Sequence, residues 1–326
     1  MKKIAVFGTG HLGTIHAKCI HQIPSATLIG IYDIDRAKAE SVAAELHTVA
    51  YPSPEELLND CDIADIVTTT SEHYEVAKMA VLKKKHIFIE KPVCADLQDA
   101  EELIRLAGET GVYAQVGHVE RFNPAFMAAQ PFIDTPMFIE SHRLALFNQR
   151  GNDVSVVLDL MIHDIDIILK IVNRDVKDIQ ASGVPIVTDT FDIANVRLTF
   201  EGGCVANLTA SRLSLKNMRK IRIFQPNAYI SVDLLDKKTE IIQLNEISEE
   251  KEDPFALILD LGNEKGKKQI VIRQPEITPI NAIQTEIESF IYSIEHEEAP
   301  IVTLEDGYRA LKIAYQILEK MNEPVK

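Results

Sequence analysis

The chain has 326 residues, a length suited to two domains, and its 46% hydrophobic and 25% charged content is that of a soluble globular protein. Its 34 basic and 49 acidic residues leave a net charge of −15, which argues against nucleic acid as a partner because a phosphate backbone needs a basic face. No stretch approaches the ~18 apolar residues of a membrane span, and Cys19, Cys61, Cys94 and Cys204 form no C-x-x-C pair, so a reducing cytoplasm fits best.

Over the first ~118 residues, short β-branched runs alternate with amphipathic helical patterns. Strands are expected over Ile4–Gly8, Thr27–Asp33, Ala64–Thr69, His86–Glu90 and Val112–Val116. Ser53, Pro54 and Glu56 form a helix start with a capping box; Asp96 and Asp99 bracket another start, and Gly111 can end that helix. Such alternation predicts an α/β Rossmann domain over 1–118, a doubly wound parallel sheet. The pattern then changes. One helix is expected over about Val154–Ile171, followed by extended runs at Asp178–Val187, Ile193–Phe200, Val205–Leu213, Ile221–Phe224, Tyr229–Leu234, Glu240–Leu244 and Ile270–Arg273. Turn signals such as "EGG" at 201–203 and "QPNA" at 225–228 join them, and two helices near 282–297 and 304–322 close the chain, the second started by Thr303 and Asp306. Residues 119–326 thus read as an α+β domain with a large, mainly antiparallel open sheet. Its closing helices could return to the first domain, and its free sheet face could pair with another subunit.

The segment "IAVFGTGHLG" places Gly8, Gly10 and Gly13 in G-x-G-x-x-G spacing after a strand and at the start of a helix, with His11 and Leu12 between them. Gly8 allows a tight turn, Gly10 lets a pyrophosphate approach the main chain, and Gly13 lets helix and strand pack closely. The free N–H groups and positive dipole of the helix start suit that anion. Asp33, twenty residues after Gly13, can accept the adenosine ribose hydroxyls and repel a 2′-phosphate, so NAD is expected over NADP, although Arg36 is near. At the end of the following strand, Thr69, Ser71 and His73 are candidate cofactor contacts; His73 reads equally as a surface residue of a first helical turn.

In "IFIEKPVC" the charged pair Glu90–Lys91 leaves a buried strand at the sheet's carboxyl end, where open α/β folds bind ligands, and Pro92 biases Lys91 toward an extended conformation. Lys91 could donate to a substrate hydroxyl and to the cofactor, with Glu90 holding its ammonium and standing as a further candidate cofactor contact. Further on, "VVLDLMIHDIDI" sets Asp159 and His163 four apart, on one face of a helix. An imidazole there can take a hydroxyl proton near neutral pH, and Asp159 can orient it or contact a sugar hydroxyl. Two other readings stay open: His163 as a core histidine, and Asp159, His163 and Asp166 as metal ligands completed by His118 or Glu120.

The glycine loop, "EKP" near residue 90 and the Asp-x-x-x-His after the first domain together resemble the Gfo/Idh/MocA family over the whole chain. The resemblance implies metal-free NAD(P)-dependent oxidation of a hydroxyl, with Lys91, Asp159 and His163 catalytic, a cis peptide before Pro92, the Ser71 loop flanking the nicotinamide, and assembly as a homodimer or homotetramer through the open sheet. Met161 stands where many members have Gly. Nearer the domain junction, "GHVERFNPAF" offers Arg121 for a phosphate or carboxylate and Asn123 for hydroxyls, and "NQRGND" adds Arg150 and Asn152. The alternative for Arg121 is a structural salt bridge. "GHVERFNPA" with "DLMIHDID" is similar to the branch of the family that oxidises the 3-hydroxyl of UDP-N-acetylglucosamine. A dehydrogenase of a free sugar or polyol, an NADP-linked reductase and a non-catalytic cofactor-binding regulator are the alternatives.

Overall fold

A computed structural model describes residues 1–148, 154–247, 257–262 and 266–322. Two compact units emerge: Met1–Phe122 with Ile280–Lys312, and Asn123–Pro279 with Ile313–Lys326.

The first unit is built on five parallel strands, β1 (Lys2–Phe7), β2 (Ala26–Tyr32), β3 (Ile63–Ile66), β4 (His86–Glu90) and β5 (Ala114–Gly117), in the order β2-β1-β3-β4-β5. Between them lie α1 (His11–Gln22), α2 (Arg36–Glu45), α3 (Pro54–Asp60), α4 (Thr70–Leu82) and α5 (Leu97–Thr110). The chain reverses direction across the sheet between β1 and β3, so their carboxyl ends form the crevice in which such folds bind ligands. The helix starts follow their local chemistry. Ser53 Oγ accepts the Glu56 N–H at 3.3 Å, Asp96 accepts the Asp99 N–H at 2.9 Å, and α5 ends on Gly111 at φ +70°. The core continues past the Rossmann segment: Ile287, Phe290, Ile291 and Ile294 of α8 (Ala282–His296) pack with Ile4, Ile20, Ile31, Ile63 and Phe88. The start of α9 (Leu304–Asn322) also lies in this unit, where Thr303 and Asp306 exchange side-chain-to-N–H bonds of 3.3 and 3.2 Å.

The second unit holds a nine-stranded sheet of β6 (Phe138–Leu144), β7 (Val176–Val184), β8 (Ile193–Phe200), β9 (Val205–Ser211), β10 (Met218–Gln225), β11 (Ala228–Asp233), β12 (Lys238–Glu246), β13 (Leu257–Asp260) and β14 (Lys267–Arg273). Its order is β13-β14-β12-β11-β10-β6-β9-β8-β7, and every pair is antiparallel except β6 with β9. The helix α6 (Pro124–Ala129) packs on β11 and β12; a π-helical turn, Val157–Met161, leads into α7 (Ile162–Val172), which packs on β6. The α/β Rossmann fold and the open, mainly antiparallel second sheet are those expected, with β6, β13 and α6 as additions. No helix of the described residues is long and apolar enough to cross a membrane, and all four cysteines are free and buried.

Between β7 and β8 the chain is tied down by Asp192, which is fully buried. Its Oδ2 accepts the N–H groups of Ile186, Val187 and Thr188 at 2.7, 2.7 and 3.1 Å, and its Oδ1 the Thr188 hydroxyl at 2.8 Å. Burial alone would push this carboxyl up, but the three amides outweigh it and hold the pKa at about 2. Because the folded-state value lies below the ordinary ~3.9, the stability this group contributes is fully present above the unfolded value and is lost as pH falls through about 2. Asp192→Ala removes the shared acceptor of three main-chain amides and one hydroxyl and is expected to cost about 1–2 kcal/mol at neutral pH. Thermal melts at successive pH values check this: the gap to wild type should narrow as the pH falls below the ordinary carboxylate range.

Candidate active site

In the first unit the glycine loop is shaped as its residue types require. Gly8 has φ +98°, and a Cβ there would lie 2.5 Å from the Val67 carbonyl oxygen on the loop after β3. A Cβ on Gly13 would strike the Gly8 carbonyl oxygen, so helix and strand can meet this closely only without one. A Cβ on Gly10 would meet nothing within 4 Å. Gly10 caps α1 without a side-chain cap, and the first turn carries no acidic residue to repel an anion at the helix start. These observations fit a dinucleotide pyrophosphate. His11 and Leu12 begin α1, with His11 exposed.

Asp33 closes the loop from the end of β2. Its Oδ2 accepts the Thr9 N–H at 2.6 Å and the Thr9 hydroxyl at 2.8 Å, and its Oδ1 accepts the Asp35 N–H at 2.8 Å. A carboxylate offers about four acceptor positions, so capacity remains for a ribose hydroxyl. Arg36 turns to Glu40, with Nε 2.7 Å from Oε1.

Thr69 caps α4 and lies 3.2 Å from Ser71, oxygen to oxygen. His73 corrects its surface reading: it is 1% exposed, with Nδ1 2.9 Å from the Pro92 carbonyl and Nε2 3.2 Å from the Thr68 carbonyl. Burial lowers its pKa. Both ring nitrogens face main-chain carbonyls, and the neutral imidazole donates its single N–H to one of them at a time, so the side chain sits between the Thr68 loop and Pro92.

The Lys91–Pro92 peptide is cis, as the family resemblance implied. Lys91 is half-buried just beyond β4. Glu90 is buried and works through the main chain: its Oε2 accepts the Lys91 N–H at 3.1 Å. On its other side Oε1 lies 3.2 Å from His16 Nε2, a charge contact out of line for a hydrogen bond. His16 Nδ1 in turn lies 3.0 Å from Asp65 Oδ2. Burial alone would pull the His16 pKa down, but Asp65 and Glu90 outweigh it and hold it well above the usual value. Burial likewise pushes Glu90 up, yet the neighbouring His16 and Lys91 bring it below the carboxylate norm. Neither His16 nor Asp65 was among the sequence candidates; the available signals were a histidine three residues after Gly13 and an aspartate inside the apolar strand "IADI".

Arg121 is a correction. Its side chain is 2% exposed, and Nη1 donates to Asp306 at 3.2 Å and to the Ile301 carbonyl at 3.3 Å, so it braces the start of α9 instead of presenting a fork to substrate. Gly117 shows similar crowding, since a Cβ there would lie 2.5 Å from Glu90 Oε1.

In the second unit Asn123 is likewise committed to structure. Its Oδ1 accepts the Ala125 N–H at 3.1 Å, capping α6, and its amide donates to the Leu234 carbonyl at 2.9 Å. Arg150 and Asn152 lie outside the described residues. Asp159 sits in the π-helical turn and His163 in the first turn of α7, both half-buried, so the pair straddles a change of helix type where one regular helix was expected. Asp166 is buried. The neighbouring Asp164 pairs with Arg143 of β6, both buried, at 2.9–3.1 Å, and this bond fixes α7 against the sheet. No group of three or more His, Cys, Asp or Glu among the described residues is placed to hold a metal ion.

Residues 2–118 match the oxidoreductase family with an NAD-binding Rossmann fold, and residues 136–230 match the GFO/IDH/MocA C-terminal domain. UDP-N-acetylglucosamine 3-dehydrogenase of Acidithiobacillus ferrooxidans is 34% identical over 97% of this chain and 96% of its own. Its solved structure superposes with a TM-score of 0.88, covering 98% of this chain and 97% of that one. Myo-inositol 2-dehydrogenase of Thermotoga maritima is 24% identical over 98% of this chain and 96% of its own. The same fold recurs in scyllo-inositol dehydrogenase from Lactobacillus casei, solved with NAD(H) and scyllo-inositol, at 21% identity and a TM-score of 0.77 over 98% of this chain and 96% of that one. The chain belongs to the GFO/IDH/MocA family and is an oxidoreductase of the NAD-binding Rossmann class that acts on hydroxyl groups.

Proposed function

We propose that this enzyme oxidises the 3-hydroxyl of UDP-N-acetylglucosamine with NAD. The observation that carries the reading is the 34% identity, over 97% of the chain, to a relative of that activity. When bound, NAD supplies a nicotinamide carbon that accepts hydride. Lys91 donates a hydrogen bond to the reacting hydroxyl, His163 takes its proton and Asp159 orients the imidazole. Two of the residues first considered for substrate, Arg121 and Asn123, are held in structural bonds, so recognition of the nucleotide falls to other groups.

The preference for NAD over NADP rests on Asp33 at the end of β2, whose carboxylate would accept a ribose hydroxyl and repel a 2′-phosphate. Asp33→Ala is expected to lower the ratio of NADP to NAD dissociation constants at least ~10-fold, about 1.4 kcal/mol, measured by titrating each cofactor into the protein. Cytoplasmic operation and a homodimer or homotetramer joined through the open sheet belong to the same proposal. Light scattering of the purified protein tests the assembly.

The substrate test is formation of NADH by the purified enzyme with UDP-N-acetylglucosamine, its uronic acid, myo-inositol or glucose, with an aminotransferase added to remove ketone. A rise with UDP-N-acetylglucosamine alone supports the proposal. A rise only with a free polyol retains the chemistry and discards the nucleotide sugar.

A further inference from the structure

The first unit buries a row of three titratable side chains, His16, Asp65 and Glu90. His16 on α1 is fully buried between Asp65 on β3 and Glu90 on β4, and the Phe88 ring edge stands against it, centroids 5.7 Å apart. Gly117 of β5 leaves room for the Glu90 carboxylate only by lacking a side chain. The other oxygen of that carboxylate holds the Lys91 N–H at 3.1 Å. Cys19 on the same helix lies within the electrostatic reach of His16 and takes the Asn281 amide, while Lys91 acts on Glu90.

A buried ionic row is weak as a source of stability, since well-packed apolar residues often do as well or better. Its distinctive property is direction: it runs from the sheet interior to one main-chain N–H, that of Lys91. We propose that His16 is a positioning residue, which with Asp65 fixes the Glu90 carboxylate beneath the main chain of Lys91 and so aims that lysine at the substrate. The part concerning the substrate rests on the reading of Lys91 given above. His16 touches neither substrate nor cofactor in this arrangement and acts through Glu90. His73 secures the next residue, Pro92, from the α4 side, so the turn that carries Lys91 is anchored at two successive residues by buried groups.

The test is His16→Gln, which keeps a donor and loses the cation, studied alone and on a Glu90→Gln background. In the NAD-free protein the melting temperature is expected to fall, because two buried carboxylates lose their cation, and amide hydrogen exchange at Lys91 to speed up at least ~10-fold beyond any rise shared by the slow amides of the rest of the first unit. With NAD and substrate, kcat should fall ~10-fold or more while both KM values stay within about twofold, and on the Glu90→Gln background His16→Gln should add less than about twofold, because the two residues act as one unit. Unchanged Lys91 exchange, or a loss of kcat that adds fully to that of Glu90→Gln, overturns the proposal. Should His16→Gln fail to fold, Asp65→Asn is judged by the same exchange and kcat criteria. Lys91→Ala, run alongside, separates the two ideas: full activity there defeats the catalytic reading of Lys91, whereas the exchange measurement still decides whether His16 holds its main chain.

Discussion

Lys91→Ala is expected to lower kcat at least ~10²-fold, with NAD affinity within about twofold of wild type, as befits the loss of a group that works on the reacting hydroxyl. The substitution keeps the main-chain framework, while removing the ammonium that helps hold the Glu90 carboxyl below the carboxylate norm. The Lys91 N–H bonded to Glu90 is main chain and survives, as do the His73 bond to the Pro92 carbonyl and the glycine loop. His163→Ala should have an effect of the same order from the other unit, where the Arg143–Asp164 bond keeps α7 in place without the imidazole. Steady-state NADH formation and fluorescence titration with NAD measure the two quantities separately. Near wild-type turnover in both variants would remove the acid–base assignment; a parallel loss of NAD affinity and turnover would make Lys91 a cofactor anchor.

Gly13→Ala should be the most damaging single methyl in the first unit. The added carbon meets the Gly8 carbonyl oxygen, a main-chain atom that cannot turn away as a side chain would, and Gly8 is itself pressed against the Val67 carbonyl. Helix α1 must therefore lift from β1, and overpacking of this kind costs about 3 kcal/mol or more. Gly10→Ala is the informative contrast. Gly10 has φ −61° and open space in front of it, so an alanine fits the ligand-free fold. Melting temperature should fall by several degrees in Gly13→Ala and hardly at all in Gly10→Ala, while NAD affinity falls at least ~10-fold in both, about 1.4 kcal/mol. Retained NAD binding in Gly10→Ala would show that the pyrophosphate does not lie against this residue.

Much of the first unit was legible because its signals are local. Ser53, Asp96, Gly111 and the Thr303–Asp306 pair each write a helix boundary into a few consecutive residues, and the three glycines state their roles through spacing. What escaped depended on partners remote in sequence. β6 was missed because its buried face reads Ile139, Ser141, Arg143, and an arginine belongs inside only once Asp164 is opposite it. Arg121 and Asn123 resemble ligand-binding groups until Asp306, Ile301 and Leu234 arrive to take up their donors. His16 has the same character: on α1 alone it is one polar residue in an apolar stripe, and its surroundings are supplied by β3 and β4. The π-helical turn at Asp159 has no periodicity signal, because one widened turn alters the register by too little to show in a pattern of apolar residues.

The parallel pairing of β6 with β9 bears on how the second unit is made. β7, β8 and β9 form one antiparallel meander and β10, β11 and β12 another, each assembled from strands that follow one another in the chain. β6 is the seam between them, pairing Phe138 with Val205 on one edge and with Phe224 on the other. During synthesis it leaves the ribosome first among the nine strands and finds no neighbour until β9, the last strand of the first meander, has followed, with β10 next, a wait of several seconds at ~5–20 residues per second. For that interval both edges of β6 are unpaired, so the nascent chain is most open to wrong pairing there, and a translational pause between β6 and β9 would lengthen its exposure.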